Sequence, residues 1–264
     1  MSSLIRPNRQ GGAAPTGHRK DQTVMIEIKQ PSQRDYTPFV LTADARDGSG
    51  MVMTALSRSP ETLMMGEVFG SAFRPAWGNF NNAMGLFDEV VYPVKGHTNK
   101  VVGFKLFRKH ADRKEFGDLF ASLRAFRPRV IHLRRRNLLE KFVSFEIARR
   151  TGKWFTGRQS ESTRLTLKID AKDAAAYFEL CLGNYESLYS ELAGLPCVVA
   201  FYEDFLSDFS REIDRIQSFL GIPSRNVQPT IVKQERRRLP EIIENYDSLA
   251  RAFKGTQWEP FLPA

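Results

Sequence analysis

Two stretches of this 264-residue chain place cations, hydroxyls and glycines where a chain turns from strand to helix. In the first, the apolar run Phe39–Ala43 leads into Asp44-Ala45-Arg46-Asp47-Gly48-Ser49-Gly50, and Met51–Leu56 continues as a helix. A strand, a glycine turn and a helix start aim free backbone N–H groups and the positive end of the helix dipole at one point, which suits an anion. Gly48 and Gly50 allow the tight turn. Ser49 offers a hydroxyl, and Arg46 offers a forked cation for phosphate-type oxygens. The G-x-x-x-x-G-K-[ST] loop of nucleoside triphosphatases is absent, and an ordinary strand-to-helix turn is the competing explanation.

In the second stretch, Val130–Leu133 ends in Arg134-Arg135-Arg136, and a helix starts at Asn137. Ser144 is about two turns, roughly 10 Å, further along the same helix face. Arg136 and Ser144 could then clamp one anion between them. A serine flanked by Phe142, Val143 and Phe145 could equally bond back to a carbonyl one turn earlier.

These segments need a frame that brings them together. Phe39–Ala43, Val101–Phe107, Val130–Leu133 and Cys197–Tyr202 are short apolar runs that suit buried strands. Helical spacing separates them. It is carried by Phe116 to Phe126 before Pro128, by Phe178 to Leu192 before Gly194, and by Ile213 to Leu220 before Gly221. Asn137 with Glu140 forms a capping box for a helix running to Thr151-Gly152. Strand and helix alternate, so the expected fold is α/β, a parallel sheet with helices on both faces, with ligands bound at the C-terminal ends of the strands. Residues 1–35 are polar and basic without periodicity and are expected to form a flexible tail, with one folded domain over 36–264.

The composition excludes several classes. The chain is 42% hydrophobic with 20 Phe, enough for a large core and unlike a disordered or collagenous chain. No apolar run reaches a membrane-spanning length, and the tail lacks an apolar h-region, so no secretory signal is expected. Two cysteines and four histidines form no zinc spacing, and no metal is expected. A reducing, cytoplasmic setting is the expectation. The net charge is +9, and eight of those nine charges fall within residues 123–153, where ten basic side chains meet two acidic ones. Such a concentration suits an anionic partner: a nucleotide, a nucleic acid, an anionic glycan or a lipid surface. It could also support peripheral membrane contact, although no amphipathic anchor accompanies it.

Taken together, the motifs resemble the sulfotransferases that use 3′-phosphoadenosine 5′-phosphosulfate (PAPS), and among them the bacterial carbohydrate sulfotransferases. Arg136-Asn137 with Ser144 is similar to the family's 3′-phosphate motif, and Arg46–Met51 to its 5′-phosphosulfate loop. Ser59-Pro60 with Gly66-Glu67-Val68-Phe69, Val102–Leu106, Tyr202–Phe205, Phe219–Ile222 and Ile243–Asp247 follow in the family's order, from about Pro38 to Phe261. The resemblance implies a P-loop-like, sulfotransferase-type sheet. It also implies in-line sulfuryl transfer from PAPS to a hydroxyl of a carbohydrate or glycolipid acceptor, without a metal and without nucleic acid. It implies Glu67 as general base, and Arg46, Lys105 and His110 around the transferring group. Arg46, Asp47, Gly48, Ser49, Gly50, Met51, Arg136, Ser144, Lys233 and Arg237 are implied for donor binding. Asp47 and Gly50 stand where the family has hydroxyl residues, and Arg46 is the candidate partner for the Asp47 carboxylate.

Plainer readings stand beside these. Glu67 could be a surface carboxylate, His110 a solvated loop residue, and Lys233 and Arg237 part of a solvated basic face. Trp77 and Trp154 could stack on adenine or sugar, or belong to the core. Acceptor pockets are built from loops, here Ser71–Asn99 and Thr156–Thr166. The alternatives to the enzyme are a basic nucleic-acid- or nucleotide-binding protein, an ATP-dependent phosphoryl-transfer relative and a non-catalytic relative.

Overall fold

The computed structural model describes residues 34–70, 80–112, 114–154, 165–230 and 237–262. Most of the expected tail, Trp77 and Lys233 lie outside the described residues, as do 71–79 and 156–164 of the expected acceptor loops.

Five strands form one parallel sheet: β1 (Thr37–Ala43), β2 (Thr62–Met64), β3 (Val101–Phe107), β4 (Arg129–Arg134) and β5 (Cys197–Phe201). Their order is β2-β3-β1-β4-β5, so β1 lies at the centre. The longer helices are α1 (Ser49–Leu56), α4 (Leu119–Phe126), α5 (Leu138–Thr151), α6 (Ala171–Glu191), α8 (Phe209–Leu220) and α10 (Tyr246–Phe253). The short α2 (Ala83–Leu86), α3 (Arg108–Ala111), α7 (Tyr202–Ser207) and α9 (Leu239–Ile242) fall between them.

Both faces of the sheet are covered, because the strands alternate sides beneath their continuous apolar sequence. Val40, Phe104 and Leu106 pack with Leu119, Leu123 and Phe126 of α4 on one face. Phe39, Leu41 and Ala43 pack with Val52 and Leu56 of α1 and Ile213 and Ile216 of α8 on the other. A third cluster joins α5, α6 and α10 through Phe142, Phe178, Leu249 and Phe253. Gly103 of β3 pairs in register with Phe39. A Cβ there would fall 2.5 Å from the Phe39 carbonyl oxygen and 2.6 Å from its ring, so only glycine fits.

The capping expectation at Asn137 is met in half. Its side-chain oxygen accepts from the Glu140 N–H at 2.9 Å. The Glu140 carboxylate bonds Arg135 at 2.7 Å instead of returning to the cap. The backbone N–H groups of Arg136 and Asn137 donate to Glu203.

Candidate active site

A cavity of about 380 Å³ opens at the C-terminal ends of β1, β3 and β4, where the connections leave β1 in opposite directions. The loop 44–48, the ends of β3 and β4, and one face of α5 enclose it.

The loop after β1 is bent by two left-handed residues, Arg46 (φ 69°) and Gly48 (φ 84°). Gly48 starts α1 with no side-chain cap, so the start of α1 faces the cavity. A Cβ on Gly48 would meet the Tyr202 ring at 2.3 Å. The Arg46 guanidinium donates from Nε to Ser144 Oγ at 2.9 Å and from Nη1 to the Trp154 carbonyl at 2.7 Å. Burial pushes its pKa down, and Arg135 adds to the shift. Ser144 therefore joins the loop motif to the helix motif in one wall.

The three arginines at the end of β4 diverge, because successive residues of a strand point to opposite sides. Arg134 pairs with Glu186 on the outside. Arg135 lines the cavity, pairs with Glu140 and lies over the Tyr202 ring at 4.6 Å. Arg136, expected to clamp an anion with Ser144, is not on the cavity wall. It makes a two-pronged pair with Asp204 at 2.5 and 2.9 Å and lies over Phe201. The triple-arginine sequence gives no sign of which member turns inward.

Glu67 reaches the cavity because the chain after β2 stays hydrogen-bonded to β3. The Met65 N–H donates to the Gly103 carbonyl, and the Lys105 N–H to the Gly66 carbonyl at 2.7 Å. Lys105 is buried and holds Glu67 Oε1 at 2.7 Å. Burial pushes the Lys105 pKa down, and Glu67 opposes the shift. His110 is buried rather than solvated. Its Nδ1 accepts from the Phe107 N–H, and its Nε2 lies 3.8 Å from Glu67 Oε2. Lys105 and His110 thus flank one carboxylate from two sides.

Asp47 does not face the cavity, and its partner is not Arg46. The carboxylate is wholly buried on the opposite side of the loop. It accepts from Tyr185 at 2.5 Å and from the Asp44 N–H at 2.6 Å, and it pairs with Lys141 at 2.8 Å. A carboxylate turned toward a bound anion would repel it; turned inward, it needs a buried cation, and Lys141 of α5 supplies one. By sequence alone Lys141 is one more cation of the basic run. Its one signal is position, since a lysine between Leu139 and Phe142 on a helix that must pack is costly unless paired. Gly48, Ser49, Gly50 and Met51 line the cavity, as do Lys109, Trp154 and Arg237. Arg237 also donates to the Leu165 carbonyl at 3.0 Å.

The basic run 123–153 is mostly neutralised within the fold. Arg124, Arg134, Arg135, Arg136, Lys141, Arg149 and Arg150 all make ion pairs. Among the described residues no His, Cys, Asp and Glu group could hold a metal. None of the described helices is long and apolar enough to cross a membrane.

No family model matches the chain. It is 24% identical over 233 residues to nodulation protein H of Rhizobium tropici, covering 85% of this chain and 92% of that protein. Solved structures similar to it include a sulfotransferase from Alicyclobacillus acidocaldarius, with a TM-score of 0.45 and 13% identity over 83% of this chain and 91% of the other. Mouse sulfotransferase SULT7A1 complexed with PAP gives a TM-score of 0.44 and 13% identity, over 83% of this chain and 63% of the other.

Proposed function

We propose that this protein transfers a sulfuryl group from PAPS to a hydroxyl of a carbohydrate or glycolipid acceptor. The observation that carries the reading is the Arg46–Ser144 contact. It joins residues of the two motifs in the wall of one cavity, beside an uncapped helix start, and Glu67 lines the same cavity.

The start of α1, the Ser49 hydroxyl on that helix and Arg46 would hold the 5′ end of the donor. Ser144 and Arg135 would hold the 3′-phosphate, together with Arg136 if it leaves Asp204. Charge-assisted contacts of this kind are the strong class.

Transfer of a sulfuryl group is an in-line displacement. The acceptor O–H bond breaks, an S–O bond forms, and adenosine 3′,5′-bisphosphate leaves. Glu67 would take the acceptor proton; Lys105 holds one of its oxygens at 2.7 Å, and His110 lies 3.8 Å from the other. Arg46 would stabilise charge on the transferring group. The cavity volume is within the range of small-ligand sites. The pairing of most cations in the basic run weighs against the nucleic-acid alternative.

Calorimetric titration with adenosine 3′,5′-bisphosphate, with ATP and 5′-AMP as controls, tests this reading. Selective binding of the bisphosphate is expected. Arg46→Ala should weaken it by roughly 10- to 150-fold, the loss of one charge-assisted contact set, and Ser144→Ala should weaken it less. Equal binding of all three nucleotides, or no binding, would reject it.

A further inference from the structure

The buried cluster behind the loop has no place in the chemistry above. Asp47 and Lys141 are fully buried, and they meet Asp44 and the Tyr185 hydroxyl. Tyr185 uses its whole bonding capacity there. It donates to Asp47, and it accepts from Lys141 at 2.9 Å and from the Arg135 N–H at 3.2 Å. The other Asp47 oxygen accepts from the Asp44 N–H, and the Asp47 N–H returns to the Asp44 carbonyl at 3.3 Å. The carbonyl of Arg46, the residue between these bonds and the cavity, accepts from Arg135 at 3.3 Å.

The loop is therefore pinned from behind on both sides of Arg46, whose left-handed backbone an arginine adopts only under constraint. We propose that Asp47, Tyr185 and Lys141 are positioning residues that fix the loop so that Arg46 and the start of α1 face the 5′ end of the bound nucleotide. The inference rests on the donor reading above for the identity of that nucleotide, though not for the pinning itself. Asp47 is the anchor, Tyr185 ties it to the end of β4, and Lys141 is the counterion that allows a carboxylate to sit there.

Burial pushes the Asp47 carboxyl up from its ordinary range, and Lys141 opposes this. Burial also works against the Lys141 charge, but the Asp47 and Asp44 carboxylates outweigh it and raise the Lys141 pKa.

Two measurements on the full chain test the proposal. The first is amide hydrogen exchange over residues 44–50 without nucleotide. The second is the ratio of affinities for adenosine 3′,5′-bisphosphate and adenosine 3′-monophosphate, which differ only at the 5′ end. Asp47→Ala should speed loop exchange and reduce the ratio about tenfold or more, with little change in affinity for the monophosphate. Asp47→Asn keeps one acceptor oxygen where Tyr185 and the Asp44 N–H use two, so it should fall between the wild type and Asp47→Ala in both measurements. An equal fall in both affinities, the mark of a merely structural role, would overturn the proposal. So would unchanged exchange with an unchanged ratio in Asp47→Ala, or equal effects of Ala and Asn. If Asp47→Ala does not fold, Tyr185→Phe decides, with faster loop exchange expected and unchanged exchange overturning the pinning. If wild-type protein binds neither nucleotide, the donor reading fails, and the exchange data alone still decide whether the loop is pinned.

Discussion

The two strand-to-helix turns of this protein share a topology and differ in what fills them. At the end of β4, the two N–H groups that lead into the next helix, those of Arg136 and Asn137, are occupied by Glu203, and Asn137 caps the Glu140 N–H inside the helix. The outward arginine, Arg136, is neutralised by Asp204. At the end of β1, the helix starts at Gly48 with no side-chain cap, and the carboxylate that could have filled it, Asp47, is drawn to the back of the loop. Both turns attract anions for the same reason. One is satisfied by the protein's own carboxylates, and the other is left facing a cavity. A basic, helix-initiating sequence is thus not by itself a binding site; what distinguishes the two turns is where the nearby acidic side chains point.

Three substitutions would break or sharpen this contrast. The largest effect belongs to Lys141→Met, which leaves Asp47 buried without its counterion. Breaking a buried pair in this way should destabilise the fold by about 3–5 kcal/mol, measured by urea unfolding. A loss below about 1 kcal/mol would mean that the carboxylate does not depend on Lys141.

A second effect follows from His132, which lies in β4 with Nδ1 2.7 Å from the Thr42 hydroxyl of β1. Burial, helped by Arg134, depresses its pKa to about 3. The unfolded chain binds this proton below about pH 6.5 and the folded chain does not. The stability it contributes is present above about pH 6.5 and is lost as pH falls toward about 3, by at most about 1.4 kcal/mol per pH unit. His132→Gln should flatten that slope in unfolding curves; an unaltered slope would place the acid sensitivity elsewhere.

The smallest effect is expected at the filled turn. Asn137→Ala removes one cap and should cost about 1 kcal/mol of stability without changing affinity for the bisphosphate. A marked loss of affinity would show that the Asn137 cap serves the ligand as well as the helix.

Much of the frame was legible in the sequence. The apolar runs at Phe39–Ala43, Val101–Phe107 and Val130–Leu133 match strands to within two residues at either end. β2 was not legible, because three residues are too few for a period and its pairing with β3 is a tertiary matter. The apolar period places the start of α6 too late, since the first two turns of that helix bury little besides Ala174. At the site, the Arg46 loop and Ser144 could be singled out from residue type and spacing, and Glu67 from the family resemblance. Which of Arg135 and Arg136 turns inward could not, because that depends on the twist at the end of a strand. Nor could the Asp47–Lys141 pair, since nothing local links a loop after the first strand to a helix after the fourth.

The Tyr202 ring touches the position a Gly48 side chain would take, and it lies beneath the Arg135 guanidinium. One aromatic ring is therefore in contact with both turns at once. Its ring current falls on the Gly48 backbone, so the protein carries its own spectroscopic probe: a change in the spacing of the two turns is written into the chemical shifts of one glycine, with no label added.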